Sequence, residues 1–298
     1  MYVVLGASGN TGHVVANNLL DRGQKVRVVG RNAAKLQSLA AKGAETFIAD
    51  LTDSGTLTQA FQHADSAYVM IPPNPASTDP LGYQNRISDA IAAALKNAGT
   101  KNVVVLSSIG ADKSSGNGPV LGLHHLEQKL NQIASANVLY LRAGYFMENT
   151  LPQVGAIHKM GYAVGPFRPD LKLPMIATRD IGAAAADALL HPVSGKQTRE
   201  LLGQRDLTYT EVAALIGKAI GKSDLKYVHL SDDQVQGAMV QMGMSEQFAR
   251  LLLEMTGALN SGSMRALEPR TPQNTTPTSY ETFVTEYFVP AYKQPAAA

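Results

Sequence analysis

The sequence predicts an α/β fold in which a doubly wound parallel sheet is joined to a smaller, mostly helical C-terminal region. Three observations lead to this prediction. Short apolar runs alternate with helical patterns through the first half of the chain. A turn with three glycines, "GASGNTG", follows the first of these runs. After about Gly144, prolines and glycines interrupt the alternation and indicate a region that is built differently.

Six apolar runs have the length and the β-branched content of strands. They are Tyr2–Leu5, Lys25–Val29, Thr46–Ala49, Ala67–Ile71, Asn102–Leu106 and Val138–Leu141. The helical patterns between them cover Thr11–Asp21, Ala33–Ala41, Asp53 to Gln62, Leu81–Asn97 and Leu123–Ser135. Continuous apolar strands separated by helices are typical of parallel strands that are covered on both faces. With right-handed crossovers, such strands form a doubly wound sheet.

The second half is predicted to contain more helix than strand. We expect a helix over Arg179–Leu190 and a late strand over Arg199–Gly203. An amphipathic helix over Thr208–Ile220 opens with a Thr-x-x-Glu capping box. A helical, methionine-rich stretch follows from Ser231 to about Leu259, and its methionines are expected to fill the core.

These patterns also predict how the chain is divided. Residues 1–146 form the sheet domain, and 177–203 are expected to return to it. Residues 147–176 and 204–290 form the smaller region, which covers a cleft, and 291–298 form a flexible tail. A length of 298 residues suits one large α/β unit with additions, or two domains.

The composition argues against several classes of function. Lys plus Arg number 26 and Asp plus Glu number 24, so the net charge is +2. The basic residues are scattered along the sequence, which argues against direct nucleic-acid binding. The chain has no cysteine, which excludes disulfides and thiolate chemistry. Its seven histidines show no metal-ligand spacing, so no metal site is expected.

The first residues read as a strand rather than as a secretory signal, and no apolar run approaches the ~18 residues of a membrane span. We therefore expect a cytoplasmic protein with no membrane contact.

The glycine turn has the position and composition of a pyrophosphate-binding loop. Glycines at 6, 9 and 12 allow a sharp turn, close approach of backbone to an anion and close packing of the following helix. N–H groups at the start of that helix would face the anion, with the helix dipole behind them. The side chains of Ser8, Asn10 and Thr11 add donors. The competing interpretation is a tight turn that binds nothing.

The next two strand ends predict which dinucleotide binds. An NAD site usually has an acidic residue after the second strand, whereas this chain has Arg31 there. A guanidinium can hold a 2′-phosphate through paired charge-assisted hydrogen bonds, so NADP(H) is favoured over NAD(H). Asp50 and Leu51 follow the third strand, where an adenine ring would lie. Arg31 as a solvated strand-end residue and Asp50 as a loop cap are the alternatives.

Five segments together resemble the NmrA-like group of atypical short-chain dehydrogenases. They are "GASGNTG", "GRN", the "AD" after the third strand, "LRAGYFMEN" and "TRDIG". This resemblance implies a Rossmann domain that binds NADP(H), with a C-terminal region forming a cleft over the nicotinamide. It also implies two kinds of activity. Some members resemble NADPH-dependent quinone or dye reductases, and others bind the cofactor as redox sensors that act through protein partners.

The sequence departs from typical short-chain dehydrogenases at the catalytic pair. These enzymes use Tyr-x-x-x-Lys on the helix after the fifth strand, and no tyrosine here has a lysine four residues later. The corresponding helix contains "LHHLEQKL", in which His125 and Lys129 share one face and are candidate catalytic residues. His124 or His125 is a candidate for contact with substrate or ribose. Alternatively, all three are polar surface residues.

Further candidates come from the ends of the fourth, fifth and sixth strands, because ligands of open α/β sheets bind at carboxyl ends. Ile71 and Pro72 are expected to line the cofactor. The resemblance places Ser107 near the nicotinamide, with Ser108 toward the substrate. Tyr145, Phe146 and Asn149 face the expected cleft, where aromatic walls suit a flat quinone and Tyr145 is also a candidate proton donor. The alternatives are chain capping by the serines and inter-domain packing by the aromatic residues.

The sequence therefore predicts an NADPH-dependent reductase that transfers a hydride to a flat small molecule such as a quinone. The alternative is a non-catalytic NADP(H) sensor that binds a protein partner. Reduction or epimerisation of nucleotide sugars is disfavoured because the usual tyrosine is missing.

Overall fold

The computed structural model describes residues 1–294. The strands are β1 (Tyr2–Leu5), β2 (Val26–Gly30), β3 (Glu45–Ile48), β4 (Ser66–Val69), β5 (Asn102–Ser108), β6 (Asn137–Ala143), β7 (Tyr145–Phe146), β8 (Ala163–Gly165), β9 (Leu173–Ile176), β10 (Lys196–Leu201), β11 (Asp206–Leu207) and β12 (Tyr227–His229). The α-helices are α1 (Asn10–Asp21), α2 (Gln37–Ala41), α3 (Ser54–Phe61), α4 (Pro80–Ala98), α5 (Val120–Asn131), α6 (Gln153–Met160), α7 (Thr178–Leu190), α8 (Tyr209–Ile220), α9 (Asp232–Gln241), α10 (Glu246–Asn260), α11 (Tyr280–Phe283) and α12 (Val289–Lys293).

A seven-stranded sheet forms the centre of the molecule, in the order β10-β6-β5-β4-β1-β2-β3. All of its strand pairs are parallel. Helices cover both of its faces, so the predicted doubly wound α/β fold is confirmed.

The two faces explain why the strands read as continuous apolar runs. Val3 and Leu5 point into the core beneath α3, α4 and α5, whereas Val4 points into the core beneath α1 and α7. Successive residues of a strand face opposite sides of the sheet, so a strand covered on both sides must be apolar throughout.

The edge strand next to β6 is β10, which comes from a late part of the sequence. β10 pairs with β6 over its whole length, from Lys196 opposite Val138 to Leu201 opposite Ala143. α7, which precedes β10, packs on the same face as α1. Residues 177–203 thus contribute one helix and one strand to the sheet layers.

The remaining elements share a separate apolar core over the carboxyl ends of β5 and β6. This core includes Phe167, Met175, Tyr209 and Phe283. Two small sheets, β7-β9-β11 and β8-β12, lie within it. The C-terminal region is largely helical, as predicted, but these short strands were not.

The stretch from Ser231 to Leu259 is helical, as predicted, and is divided into two helices because Gly243 adopts a left-handed φ of +90° and the Ser245 side chain caps α10. Two other predictions for the C-terminal half differ from the structure. The methionines do not all fill the core: Met242 is 67% exposed, and Met239 and Met244 are half-buried. Near the C-terminus, the predicted flexible tail 291–298 overlaps α12, and 295–298 lie outside the described residues.

No helix in residues 1–294 is both long and apolar enough to span a membrane.

Candidate active site

The glycine turn leaves one end of α1 open to an anion. Gly9 is the N-cap of α1, and no side chain of the described residues caps the N–H groups of the first turn. The Gly9 N–H donates to the Gly6 carbonyl at 2.9 Å, which holds the loop closed. With the positive end of the helix dipole behind them, these N–H groups form a cradle that fits a pyrophosphate.

Two glycines of this turn are required by close contacts. Gly6 has a φ of +63°, and a Cβ there would lie 2.8 Å from the Met70 sulfur. A Cβ on Gly12 would lie 2.4 Å from the Gly6 carbonyl oxygen, so only glycine lets α1 start this close to β1. Gly9 differs in degree, because it is exposed, its backbone is extended and a Cβ there would lie 3.3 Å from the Gly6 carbonyl oxygen.

The side chains of the turn divide into two groups. Ser8 and Asn10 are exposed beside the cradle. The Thr11 side chain is 5% exposed, and its hydroxyl accepts a hydrogen bond from buried Tyr68 at 2.9 Å. Thr11 therefore directs its hydroxyl into the core rather than toward the anion, because Tyr68 needs a partner there. Its backbone N–H still belongs to the open turn.

Arg31 and Asp50 lie near each other at the ends of β2 and β3. Burial raises the pKa of the neighbouring Tyr83, and the charges of Arg31 and Asp50 act on it in opposite directions. Arg31 is exposed and has no carboxylate within 4 Å among residues 1–294. Asp50 accepts two hydrogen bonds from Thr52, at 2.9 Å each, so it acts as a loop cap. Leu51 beside it is buried.

A cavity of about 770 Å³ opens at the carboxyl ends of β4, β5 and β6, and its lining is mainly apolar. The predicted site residues that line it are Ile71, Ser107, Ser108, Tyr145, Phe146 and Asn149. Pro72 does not line the cavity, but Pro73 does. The volume and the apolar lining are those of a small-molecule site.

One wall of the cavity comes from a helix that sequence reasoning did not assign to the site. It is formed by one face of α10, with Phe248, Leu252, Met255 and Leu259. Their spacing of four, three and four residues is the signal of an apolar helix face. That spacing could have identified the face but not what it covers.

Ser107 is bound into a buried polar network behind the cavity. Its hydroxyl donates to the Glu127 carboxylate at 2.6 Å. Arg142 donates to the same carboxylate at 3.1 and 2.6 Å, and both charged side chains are largely buried. Because the Ser107 proton is engaged with Glu127, the serine oxygen offers only lone pairs to a ligand. Ser108, half-buried, donates to the Ile109 carbonyl at 2.9 Å.

The structure does not bring His124, His125 and Lys129 to the cavity. His125 Nδ1 lies 2.8 Å from the Asn85 side-chain oxygen, and Lys129 forms an ion pair with Asp89, so both residues face α4. His124 Nδ1 lies 2.8 Å from the Ala111 carbonyl.

The rotation of α5 explains this placement. The core positions Leu126 and Leu130 turn toward the sheet, which leaves Val120 and Leu123 to face the cavity. Burial and the positive charges of His124 and Lys129 lower the pKa of His125.

Tyr145 is the polar aromatic residue of the predicted set that lies in the cavity wall. Its ring packs edge-on against Phe167 at 5.3 Å, and its hydroxyl accepts a hydrogen bond from Tyr209 at 3.0 Å. Burial raises the pKa of Tyr145, although the Tyr209 hydroxyl and the Asn149 amide act in the opposite direction. The phenol is therefore protonated at neutral pH.

Two of the segments that resemble the NmrA-like group contact each other at the base of this wall. Glu148, from "LRAGYFMEN", accepts hydrogen bonds from the Thr178 N–H and hydroxyl at the start of α7, which is part of "ATRDIG". Asp180 in turn accepts from the N–H and hydroxyl of Thr278. These carboxylates connect the cavity wall to the sheet layers and to the C-terminal segment.

Among residues 1–294, no three His, Asp or Glu side chains lie close enough together to bind a metal ion.

A parallel sheet with an open anion cradle after β1 and an apolar cavity at its carboxyl ends defines a dinucleotide-binding protein with a small-molecule site. The sequence model of the NmrA-like family matches residues 2–288. The chain therefore belongs to the NmrA-like family, and the resemblance inferred from its motifs is confirmed.

Two relatives that are named as a reductase and an oxidoreductase match over most of the chain. An NAD(P)H azoreductase of Xenophilus azovorans is 31% identical over 257 residues, which are 86% of this chain and 86% of the relative. Quinone oxidoreductase 2 of Escherichia coli (strain K12) is 28% identical over 270 residues, which are 89% of this chain and 90% of the relative.

Two solved structures of cofactor complexes also match most of this chain. An NADPH-dependent quinone oxidoreductase of Escherichia coli, complexed with NADPH, matches with a TM-score of 0.80 at 26% identity over 95% of this chain and 98% of that one. A Citrobacter triphenylmethane reductase complexed with NADP(H) matches with a TM-score of 0.76 at 18% identity, covering 95% and 98% of the two chains, which supports the fold alone.

Proposed function

We propose that this protein is an NADPH-dependent reductase that transfers a hydride to a flat electrophile such as a quinone. The observation that carries the proposal is the cavity of about 770 Å³ beside the anion cradle, with Tyr145 and Phe146 in its wall. The relatives named as an azoreductase and a quinone oxidoreductase support the same class of acceptor.

The residues for the cofactor follow from the cradle. The N–H groups at the start of α1 would hold the pyrophosphate, and Ser8 and Asn10 lie beside them. The unpaired guanidinium of Arg31 would hold a 2′-phosphate, with Asp50 and Leu51 beside the adenine. When bound, NADPH would supply the hydride.

The cavity would orient the acceptor and exclude water from it. Aromatic and aliphatic side chains present flat apolar surfaces, from Tyr145 and Phe146 on one side to the α10 face on the other. A flat ring held between such walls can stack at low entropic cost. Catalysis would then come largely from proximity and orientation.

The missing Tyr-x-x-x-Lys pair is consistent with this choice of acceptor. Hydride addition to a quinone leaves a phenol-like oxygen, whose pKa is about 10. Such an anion is far more stable in water than the alkoxide from a simple ketone. Reduction therefore needs no dedicated catalytic acid with a lysine partner, and solvent can supply the proton.

The test is to mix the purified protein with NADPH and a panel of quinones and to follow the absorbance of the reduced cofactor. We expect NADPH consumption that depends on the quinone and is abolished in Gly9→Val, which blocks the cradle. Tight NADPH binding without consumption across the panel would contradict the reductase and favour the redox-sensor alternative.

A further inference from the structure

We infer that Tyr209 and Tyr145 form a hydrogen-bond chain that stabilises negative charge on an oxygen of the substrate. This inference rests on the proposed function and adds Tyr209 as a positioning residue for the reaction. Tyr209 lies behind the cavity wall, and no sequence motif pointed to it.

The chain is defined by the direction of one hydrogen bond. The Tyr209 hydroxyl donates to the Tyr145 hydroxyl at 3.0 Å. A phenol that accepts a hydrogen bond keeps its own proton available for donation. No group within residues 1–294 accepts from the Tyr145 hydroxyl, and Tyr145 lines the cavity, so its O–H can donate to an oxygen of a bound molecule.

The surroundings of Tyr209 leave its hydroxyl one partner among residues 1–294, namely Tyr145. Tyr209 is 3% exposed, and its ring stacks on Phe167 at 5.0 Å between centroids. Packing against the buried aromatic core therefore fixes the ring and aims its hydroxyl at Tyr145.

Tyr227 provides a contrast within the same cluster. Its ring also packs against Tyr209, at 5.0 Å. Its hydroxyl, however, accepts from the Phe167 N–H at 3.1 Å and donates to the Phe167 carbonyl at 3.0 Å. Tyr227 thus shares the packing of Tyr209 but takes no part in the hydrogen-bond chain.

The chemistry requires both phenols to remain protonated. Burial raises the pKa of Tyr145 and that of Tyr209, so neither ionises near neutral pH. As the reduced substrate gains negative charge, the bond from Tyr145 becomes charge-assisted, and the bond from Tyr209 polarises it further. No proton leaves the pair, and solvent protonates the released product.

The first experiment tests the hydrogen-bond chain from Tyr209 to Tyr145 without catalysis. 4-Nitrophenol, a flat phenol whose ionised form is coloured, is titrated while bound to the wild-type protein and to Tyr145→Phe, Tyr209→Phe and Tyr227→Phe. We expect Tyr145→Phe to raise the pKa of the bound probe by about one unit. We expect Tyr209→Phe to raise it by about 0.3 unit. Tyr227→Phe should leave it unchanged.

Two results of this titration would overturn the inference. One is a probe that the wild-type protein does not bind at millimolar concentration. The other is a probe pKa that Tyr209→Phe leaves unchanged or lowers, since that is expected if Tyr145 donates to Tyr209 instead. Thermal unfolding of each variant separates these effects from loss of folding, with Tyr227→Phe as the packing control.

Turnover supplies the second readout. With NADPH and a quinone, Tyr145→Phe should lower kcat about tenfold and Tyr209→Phe about twofold, with little change in KM. Equal losses in Tyr209→Phe and Tyr227→Phe would indicate packing alone and overturn the role of Tyr209. If wild-type protein does not consume NADPH, the proposed function fails, whereas the probe titration still decides whether the hydrogen-bond chain exists.

Discussion

For single residues, the chemistry of the site depends on which polar groups already have partners in the chain. Asp50 caps its own loop, Thr11 accepts from Tyr68 and Ser107 donates to Glu127. Arg31 is exposed and has no such partner within the described part of the chain, residues 1–294. The sequence predicted all four as site residues, because it shows their types and their positions after the strands. It could not show that Thr11 and Ser107 were engaged, because their partners Tyr68 and Glu127 come from distant segments. The Asp50 contact with Thr52 is local, and the sequence offered that loop cap as one of two alternatives.

The free guanidinium of Arg31 leads to the first prediction. Arg31→Ala should weaken NADPH binding by about 10- to 100-fold, because a hydrogen bond to a charged group contributes about 1.5–3 kcal/mol. NADH binding should change little, since NADH lacks the 2′-phosphate. Isothermal titration with both cofactors measures the ratio.

Arg22→Ala is the matched control for this prediction. Arg22 lies at the opposite end of α1 from the glycine turn and is paired with Asp187 at 3.4 Å. Its loss should leave both affinities unchanged. Equal losses of NADPH and NADH affinity in Arg31→Ala would mean that Arg31 does not bind the 2′-phosphate.

For secondary-structure elements, the sequence predicted where most of the sheet strands and their helices lie but not how each helix is turned. Periodic apolar positions place α5 on the sheet. The side chains that then reach the cavity are Val120 and Leu123, not His125 or Lys129. A rotation is set by the packing of the helix against the sheet, which a single sequence does not contain. The short strands β7, β8 and β12 escaped prediction because two or three residues carry too little periodicity.

In the glycine turn, we expect one substitution to lower stability and another to abolish cofactor binding. In Gly12→Ala the added Cβ would lie 2.4 Å from the Gly6 carbonyl oxygen, which should cost about 1–3 kcal/mol of unfolding free energy. Gly9→Val should retain more of the stability, because Gly9 is exposed and extended and its added Cβ would lie 3.3 Å from the Gly6 carbonyl oxygen rather than 2.4 Å. It should nevertheless lose NADPH binding, because the valine side chain covers the N–H cradle. Urea unfolding and NADPH titration of the same two preparations give both quantities.

The opposite pattern, with Gly9→Val unfolding easily or Gly12→Ala keeping full stability, would contradict the assigned contacts. Such a result would mean that α1 does not start against β1 as described.

In the whole molecule, carboxylates from separate regions join the sheet layers to the cavity wall. Glu148 binds the first residue of α7, and Asp180 of α7 binds Thr278. Arg205 and Glu281 add an ion pair with a shortest distance of 2.6 Å between the segment after β10 and α11. The contacts of Glu148 and Asp180 therefore connect regions that the domain division proposed from the sequence keeps apart, whereas Arg205 and Glu281 both lie within 204–290.

The burial of Glu148 predicts a dependence of stability on pH. Burial raises its pKa, although hydrogen bonds from Thr178 oppose this. The folded state therefore holds the proton more tightly than the unfolded state. The resulting stabilisation is present below the unfolded pKa, about 4.3, and is lost as pH rises through the raised value. Relative to Glu148→Gln, the wild-type protein should lose unfolding free energy over that window.

Glu211→Gln is the control of opposite sign. Hydrogen bonds from Thr208 lower the pKa of Glu211, so its stabilisation is present at higher pH and is lost as pH falls. Urea unfolding of the three proteins between about pH 2.5 and 7, which covers the range below the unfolded pKa for Glu211 and above it for Glu148, should show the two differences changing in opposite directions. Parallel changes would mean that Glu148 is not held in an environment that disfavours its charge.

The pairing of β10 with β6 has a consequence for synthesis on the ribosome. Until residues 178–190 have been made, α7 does not cover its face of the sheet, and until 196–201 have been made, β6 lacks its β10 partner. The nascent chain therefore presents an unpaired parallel strand edge, which is a site for aggregation. The sheet is therefore completed by a segment that is translated after Tyr145 and Phe146, which form one wall of the cavity.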